Sequence, residues 1–272
     1  MKPKIDETEY DHIIQLYDNG CTKEYLQNLY DVSSTVIDRI FKIKKHQFRD
    51  NSHKRRIYDI NENYFDEINS PDKAYILGLL FADGCNSVNT NTIKIELQER
   101  DKSILDEINK KIGSNRKLKF HNLNDINPNW QNTYLLSFTN KHMSKTLCDY
   151  GMVANKSLIL KFPSFINDEK LLLSFICGYF DGDGHIEWRK TAFLTIASSF
   201  EFCLSLSNIL SSKFNIDSKI YYTANKESNT RVLHIFKKPQ IYKFLNLIYS
   251  SSTMHINRKY NTYLKIHNEI VA

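Results

Sequence analysis

The sequence contains no C-x-x-C pair and only five cysteines in 272 residues: Cys21, Cys85, Cys148, Cys177 and Cys203. An odd, scattered set argues against a disulfide framework and a structural zinc site. It predicts a reducing compartment, with the cytoplasm as the expected location. Long apolar runs are missing as well. The longest end in Asp, far short of the about 20 residues that a membrane span requires. The amino terminus is charged and polar and has no apolar signal region. The 9 histidines show no clustered ligand spacing, which weighs against His-based metal chemistry. The ends lack splicing residues, so a free-standing protein is expected. What remains is a globular composition, 41% hydrophobic and 25% charged, long enough for a sizeable core and for one to three domains. A formal charge of +6 and a pI near 8.9 suit a polyanionic partner without demanding one.

One short stretch occurs twice. The first copy is Ile76-Leu77-Gly78-Leu79-Leu80-Phe81-Ala82-Asp83-Gly84, and the second is Ile176-Cys177-Gly178-Tyr179-Phe180-Asp181-Gly182-Asp183-Gly184. Each is an apolar run with small residues four apart (Gly78 and Ala82; Gly178 and Gly182), then an Asp and a closing Gly. On a helix these small residues share one face and let two backbones approach. The closing Gly reads as a C-cap. Asp83 and Asp183 then sit at carboxyl helix ends, where the macrodipole is already negative. Two carboxylates brought together there share a proton or recruit a hard cation with oxygen ligands. A single copy would be equally consistent with a buried helix whose acid merely reaches solvent; two copies in one register favour a paired-helix interface.

The two stretches resemble the LAGLIDADG motif of homing endonucleases, in the single-chain form that carries two motifs. The resemblance covers about residues 73 to 270 and is stronger in the second copy. It implies an α+β fold of two pseudo-symmetric half-domains packed through their motif helices. The last acids, Asp83 and Asp183, would hold catalytic Mg²⁺ (or Mn²⁺). Phe81 departs from the family's frequent acid two residues earlier, whereas Asp181 keeps it; that position is not the family's metal ligand. By the same resemblance Gln98 matches an amide that orders water. Lys156, in Asn155-Lys156-Ser157-Leu158, and Lys259, in Asn257-Arg258-Lys259-Tyr260, match its basic positions. Ala197 or Ser198 stands in place of a second amide. His185 follows the second motif, where the first has Cys85, and receives no role.

The spacing supports two halves: Asp183 follows Asp83 by 100 residues (183 − 83). Ser70 and Pro71 predict the start of the first motif helix, and Asn167, Asp168 and Glu169 that of the second. Alternation at Ile93, Ile95 and Leu97, at 117–120, at 134–138, at 193–198, at 219–223 and at 231–236 predicts strands. Helical patterns cover 101–112, 141–150, 200–214, 240–248 and 257 onward. Each half therefore reads helix, two strands, helix, two strands, helix (αββαββα), with halves at 73–165 and 166–272. Wet-side candidates for DNA contact are Lys94, Gln98, Arg116, Lys117, Lys119, Lys190, Lys219, Lys226 and Arg231; a plain solvated face is the alternative for each.

Residues 1–56 form a separate all-α segment. Ile13, Ile14, Leu16 and Tyr17 make a first stripe. Thr22 caps a second helix with Tyr25, Leu26 and Leu29 inward, and Ser33 or Ser34 caps a third carrying Val36, Ile37, Ile40 and Phe41. The arrangement is similar to the helix-turn-helix domains of resolvases and transposases, with an ordinary three-helix bundle as the alternative. The basic run Arg39, Lys42, Lys44, Lys45, Arg49, Lys54, Arg55 and Arg56, opposed by Asp50 alone, favours phosphate contact. Ser34, Thr35, Asp38 and Arg39 would face base edges. Residues 57–72 read as a polar linker able to lie along DNA.

These readings converge on a monomeric, site-specific endonuclease acting on double-stranded DNA with a long asymmetric target, and without a membrane partner. A regulator that binds DNA without cutting and an intron RNA maturase remain as alternatives. The surviving motif acids weigh against the first, and the separate duplex-reading segment against the second.

Overall fold

The computed structural model describes residues 5–19, 21–47, 58–153, 156, 159–223 and 229–271. Arg49, Lys54, Arg55, Arg56 and Lys226 lie outside the described residues. The chain divides into two units, Met1–Ile57 and Tyr58–Ala272. Among the described residues no helix is long and apolar enough to cross a membrane.

The smaller unit contains α1 (Tyr10–Asp18), α2 (Lys23–Tyr30) and α3 (Ser34–Ile43). Thr22 accepts a hydrogen bond from the Tyr25 amide and starts α2, and Asp31 ends it in the left-handed conformation. Ile13, Tyr17, Leu26, Ile37, Ile40 and Phe41 form its core. Tyr25 and Leu29 do not face inward as expected; they are 51% and 52% exposed. An eight-residue helix spanning about two turns turns one residue, Leu26, fully into so small a core.

The larger unit is two copies of one plan. In the first, α4 (Pro71–Asp83) is followed by β1 (Gly84–Ser87), β2 (Thr92–Gln98), α5 (Lys102–Lys111), β3 (Lys119–His121), β4 (Thr133–Thr139) and α6 (Lys141–Asp149). In the second, α7 (Glu169–Asp183) precedes β5 (Gly184–Glu187), β6 (Phe193–Ser199), α8 (Phe200–Phe214), β7 (Lys219–Tyr222), β8 (Thr230–Phe236) and α9 (Lys238–Ser251), and α10 (Asn257–Val271) follows. The expected αββαββα order holds in each half. Both sheets are antiparallel, in the orders β1-β2-β4-β3 and β5-β6-β8-β7.

Local chemistry sets the motif helices. Ser70 caps α4 by accepting from the Lys73 amide, with Pro71 at its first turn. Asp168 caps α7 by accepting from the Leu171 amide. Their middles are apolar all round, as befits helices at the centre of one core. A Cβ on Gly78 would run into the Phe175 carbonyl of α7, and one on Gly178 into the Tyr75 carbonyl of α4. The expected close approach of the two backbones is therefore present. The closing glycines correct an expectation: Gly84 (φ −78, ψ 157) and Gly184 (φ −91, ψ 154) are extended, not left-handed caps. A Cβ at Gly84 would sit 2.5 Å from the Leu80 carbonyl, and one at Gly184 against the Phe180 ring, so crowding excludes a side chain.

The segment read as a linker is, from Tyr58 onward, part of this unit. Tyr64 and Phe65 are buried in its core. The Thr139 amide donates to the Tyr58 hydroxyl at 2.8 Å, and the Tyr150 hydroxyl donates to the Phe65 carbonyl at 2.9 Å. Polar composition concealed two large aromatic anchors.

Candidate functional site

The tips of α4 and α7 form the site. A Cβ on Gly182 would abut Ala82 and lie 2.8 Å from a carboxylate oxygen of Asp83, so only a glycine lets Asp83 approach the end of α7. Asp83 and Asp183 are exposed at residue level, yet protein crowds their inner sides. Loss of hydration there pushes the Asp83 carboxyl up to about 6, with the charge of Asp183 adding to the rise and Lys259, Lys156 and Arg258 opposing it. Desolvation also raises Asp183, offset by Lys156, by a hydrogen bond from Tyr179 and by Lys259. Two acids at negative helix ends, both held up by lost hydration despite the nearby cations, are suited to holding a divalent ion.

Two buried lysines close the helix ends. Lys156 Nζ donates to the Ala82 carbonyl at 2.8 Å. Lys259 Nζ donates to the carbonyls of Phe180 (2.6 Å), Gly182 (3.3 Å) and Gly184 (2.5 Å). Cations at carboxyl helix ends complement the macrodipole. Burial pushes Lys156 down and Lys259 down to about 8, the acids pulling the other way. The carbonyls beside the acids are thus engaged by ammonium groups.

Asp181 is fully buried and has a role the sequence did not suggest. Its carboxylate accepts from the Tyr75 hydroxyl (2.7 Å), the Tyr249 hydroxyl (2.8 Å) and the Ile256 amide (2.7 Å). It ties α4, α9 and the residue before α10 together, Ile256 lying three residues before Lys259 in the chain. Desolvation pushes it up to about 6 against these three donors. Arg258 Nε donates to the buried Asp101 at 2.9 Å and joins α10 to the first half. The Asn257-Arg258-Lys259 run was the available signal for that contact.

The other predicted residues are dispersed. Gln98 ends β2 opposite Thr133, and its Oε1 is buried with no hydrogen-bond partner among the described residues. Lys94, Lys119 and Lys219 are exposed on the outer faces of their sheets. Lys117 and Lys190 are exposed in loops. The Arg116 guanidinium stacks on Tyr58, 4.6 Å from its centroid. Arg231 corrects its assignment to the wet side: it shares a face with the buried Leu233 and Ile235 and stacks on Tyr222 at 4.1 Å. Its long apolar stem suits that half-buried edge. In the smaller unit Thr35, Arg39, Lys42, Lys44 and Lys45 are exposed and Ser34 half-buried; Lys44 pairs with Asp11 at 2.8 Å, and Asp38 with Lys23. That pairing turns Asp38 toward α2 and away from a base-reading role.

Comparison with known proteins agrees with this architecture. The family model of the LAGLIDADG-like domain matches residues 170–249. A probable translation initiation factor IF-2 of Methanocaldococcus jannaschii is 35% identical over 115 residues, 40% of this chain and 10% of that protein. An uncharacterised protein of the same archaeon is 25% identical over 166 residues, 57% of this chain and 59% of that one. The chain thus spans a tenth and about three-fifths of these two relatives. The homing endonuclease I-WcaI, solved bound to its DNA recognition sequence, is 17% identical with a TM-score of 0.50, over 73% of this chain and 90% of that one. The fold is the two-domain LAGLIDADG fold.

Proposed function

We propose that this chain, with its LAGLIDADG fold, is a site-specific endonuclease that hydrolyses phosphodiesters of double-stranded DNA. The reading rests on one observation: Asp83 reaches the end of α7 through the gap at Gly182, where the charge of Asp183 adds to the rise that lost hydration imposes on it. The donor set fits Mg²⁺ or Mn²⁺, since two carboxylates offer hard oxygens and leave positions for water and phosphate. Asp83 and Asp183 would hold the ion. When bound, it would activate water and neutralise charge on the phosphate.

The chain's own residues do the rest. Lys156 and Lys259 anchor the carbonyl ends of α4 and α7 and keep positive charge beside the reacting phosphate. Lys259, pushed down to about 8 by burial, still carries its charge at neutral pH. Gln98, whose buried amide oxygen has no hydrogen-bond partner among the described residues, is a candidate to orient water. The partner is a duplex with a long asymmetric target, because two similar but unequal sheets would lie along it; the homing endonuclease I-WcaI, solved bound to its DNA recognition sequence, supports a DNA partner. One chain carries both halves and would act as a monomer in the cytoplasm. Halves at 73–165 and 166–272 would share the target. The unit preceding Tyr58 would add phosphate contacts through Arg39, Lys42 and Lys45.

The test is incubation of wild-type protein with a plasmid library carrying random inserts, in Mg²⁺ and separately in Ca²⁺, with sequencing of broken ends. Double-strand breaks at one motif in Mg²⁺ alone are expected. Stable binding to one motif without breaks in any divalent ion would instead identify a non-cleaving regulator.

A further inference from the structure

The two sheets share one register but not one surface. Gly84 pairs with Ile95 and Gly184 with Ile196, which aligns the halves position by position. On the outer face, Thr195, Ala197 and Tyr221 stand where the first sheet has Lys94, Glu96 and Lys119. Phe193 and Phe236 pair with each other where Thr92 and Thr139 pair in the first sheet. The same backbone thus presents charge and hydroxyls in one half, and rings and methyls in the other.

The second surface is organised. His234 lies among the rings, stacked on Phe236 at 5.4 Å and edge-on to Tyr221 at 4.8 Å. Burial pushes His234 down and favours its neutral form, and its Nδ1 has no hydrogen-bond partner among the described residues. Tyr221 is 43% and Phe236 37% exposed, so the patch is open. Lys219, paired opposite His234, is exposed on the same face and places a cation beside the rings.

Resting on the nuclease reading, we propose that the outer face of the second sheet selects a thymine-rich half-site through the C5-methyl groups. In the major groove the base edges present donors, acceptors and one apolar group, the thymine methyl. A face of Phe193, Thr195, Ala197, Val232, Tyr221 and Phe236, with Lys219 and His234 confined to one strand pair, is mostly apolar and gains by covering methyls. A G·C pair would leave its polar edge facing rings, an unpaired arrangement that costs binding. The first sheet carries the complementary chemistry: Lys94 suits guanine. The matched register of the two separate sheets, with strands able to read base edges in the major groove, fits one duplex as the occupant of both faces.

The experiment selects binding duplexes from a random pool in Ca²⁺ with wild-type protein. Each half-site of the winner is then remade with deoxyuridine in place of thymidine, which removes only the methyls. One half-site is expected to be T·A-rich and to lose about fourfold in affinity per methyl removed, while the other loses none. In a Phe193→Ser/Phe236→Ser variant that uridine effect should vanish, and in Lys94→Ala it should persist. Selected binding with no uridine effect in either half-site overturns this inference and leaves the nuclease reading standing. A uridine effect untouched by the double serine variant overturns the assignment to this face. Failure to select any duplex overturns the nuclease reading itself.

Discussion

Across the central helix pair, the Tyr75 hydroxyl donates to the buried carboxylate of Asp181 at 2.7 Å, linking α4 of one half to α7 of the other. The same carboxylate holds Tyr249 and the Ile256 amide, so removing it strands three buried donors. Asp181→Ala is expected to destabilise by about 3 kcal/mol or more, and Tyr75→Phe by about 1.5–3 kcal/mol. Urea unfolding monitored by circular dichroism measures both. A loss under about 1 kcal/mol for Asp181→Ala would show that the network is dispensable.

Gly78 and Gly178 offer a test by sign. In an ordinary helix interior, Gly→Ala stabilises by about 1 kcal/mol. Here the added methyl would enter the backbone of the partner helix. Gly78→Ala and Gly178→Ala should each destabilise by about 1–3 kcal/mol or more in the same unfolding assay. Stabilisation by either would mean that the helices are not nested at that point.

The lysines should be unequal. Lys259 satisfies three carbonyls and Lys156 one. Each buried acceptor left unpaired costs about 1–3 kcal/mol, so Lys259→Met should unfold at clearly lower urea than Lys156→Met. Equal midpoints would contradict the capping role assigned to Lys259.

Asp83 gives a pH prediction. Its folded value, about 6, exceeds the ordinary 3.8, so the fold favours the protonated form. That contribution is complete below about 3.8 and is lost as pH rises through about 6. Asp83→Asn removes the charged form. Without divalent ions, the variant's Tm relative to wild type should therefore climb from pH 4 to about 6.5 and then level. Added Mg²⁺ should raise wild type more than the variant and narrow the gap. Differential scanning fluorimetry reads both effects; parallel Tm curves across the range would contradict the coupling.

Much of this architecture was legible because it is written locally. Ser70 with Pro71, Asp168, and Thr22 marked helix starts, and the doubled motif fixed the pairing of α4 with α7. Alternation at 93–97 gave β2, whereas β1 and β5, four residues each, are too short to show a period. Arg231 was misassigned because its charge outweighed its parity with Leu233 and Ile235. Tyr64 and Phe65 were hidden in a polar stretch, and their burial depends on distant partners. The Asp181 network could not be read for the same reason: its donors lie 106, 68 and 75 residues away.

The most direct measurement takes the target cut by wild type and follows its double-strand cleavage in Mg²⁺ by Asp83→Asn and Asp183→Asn, with binding measured beside it. Each variant is predicted to bind within about tenfold of wild type, a difference of about 1.4 kcal/mol, and to make no double-strand break. Cutting by either variant at the wild-type rate would contradict the joint use of the two carboxylates.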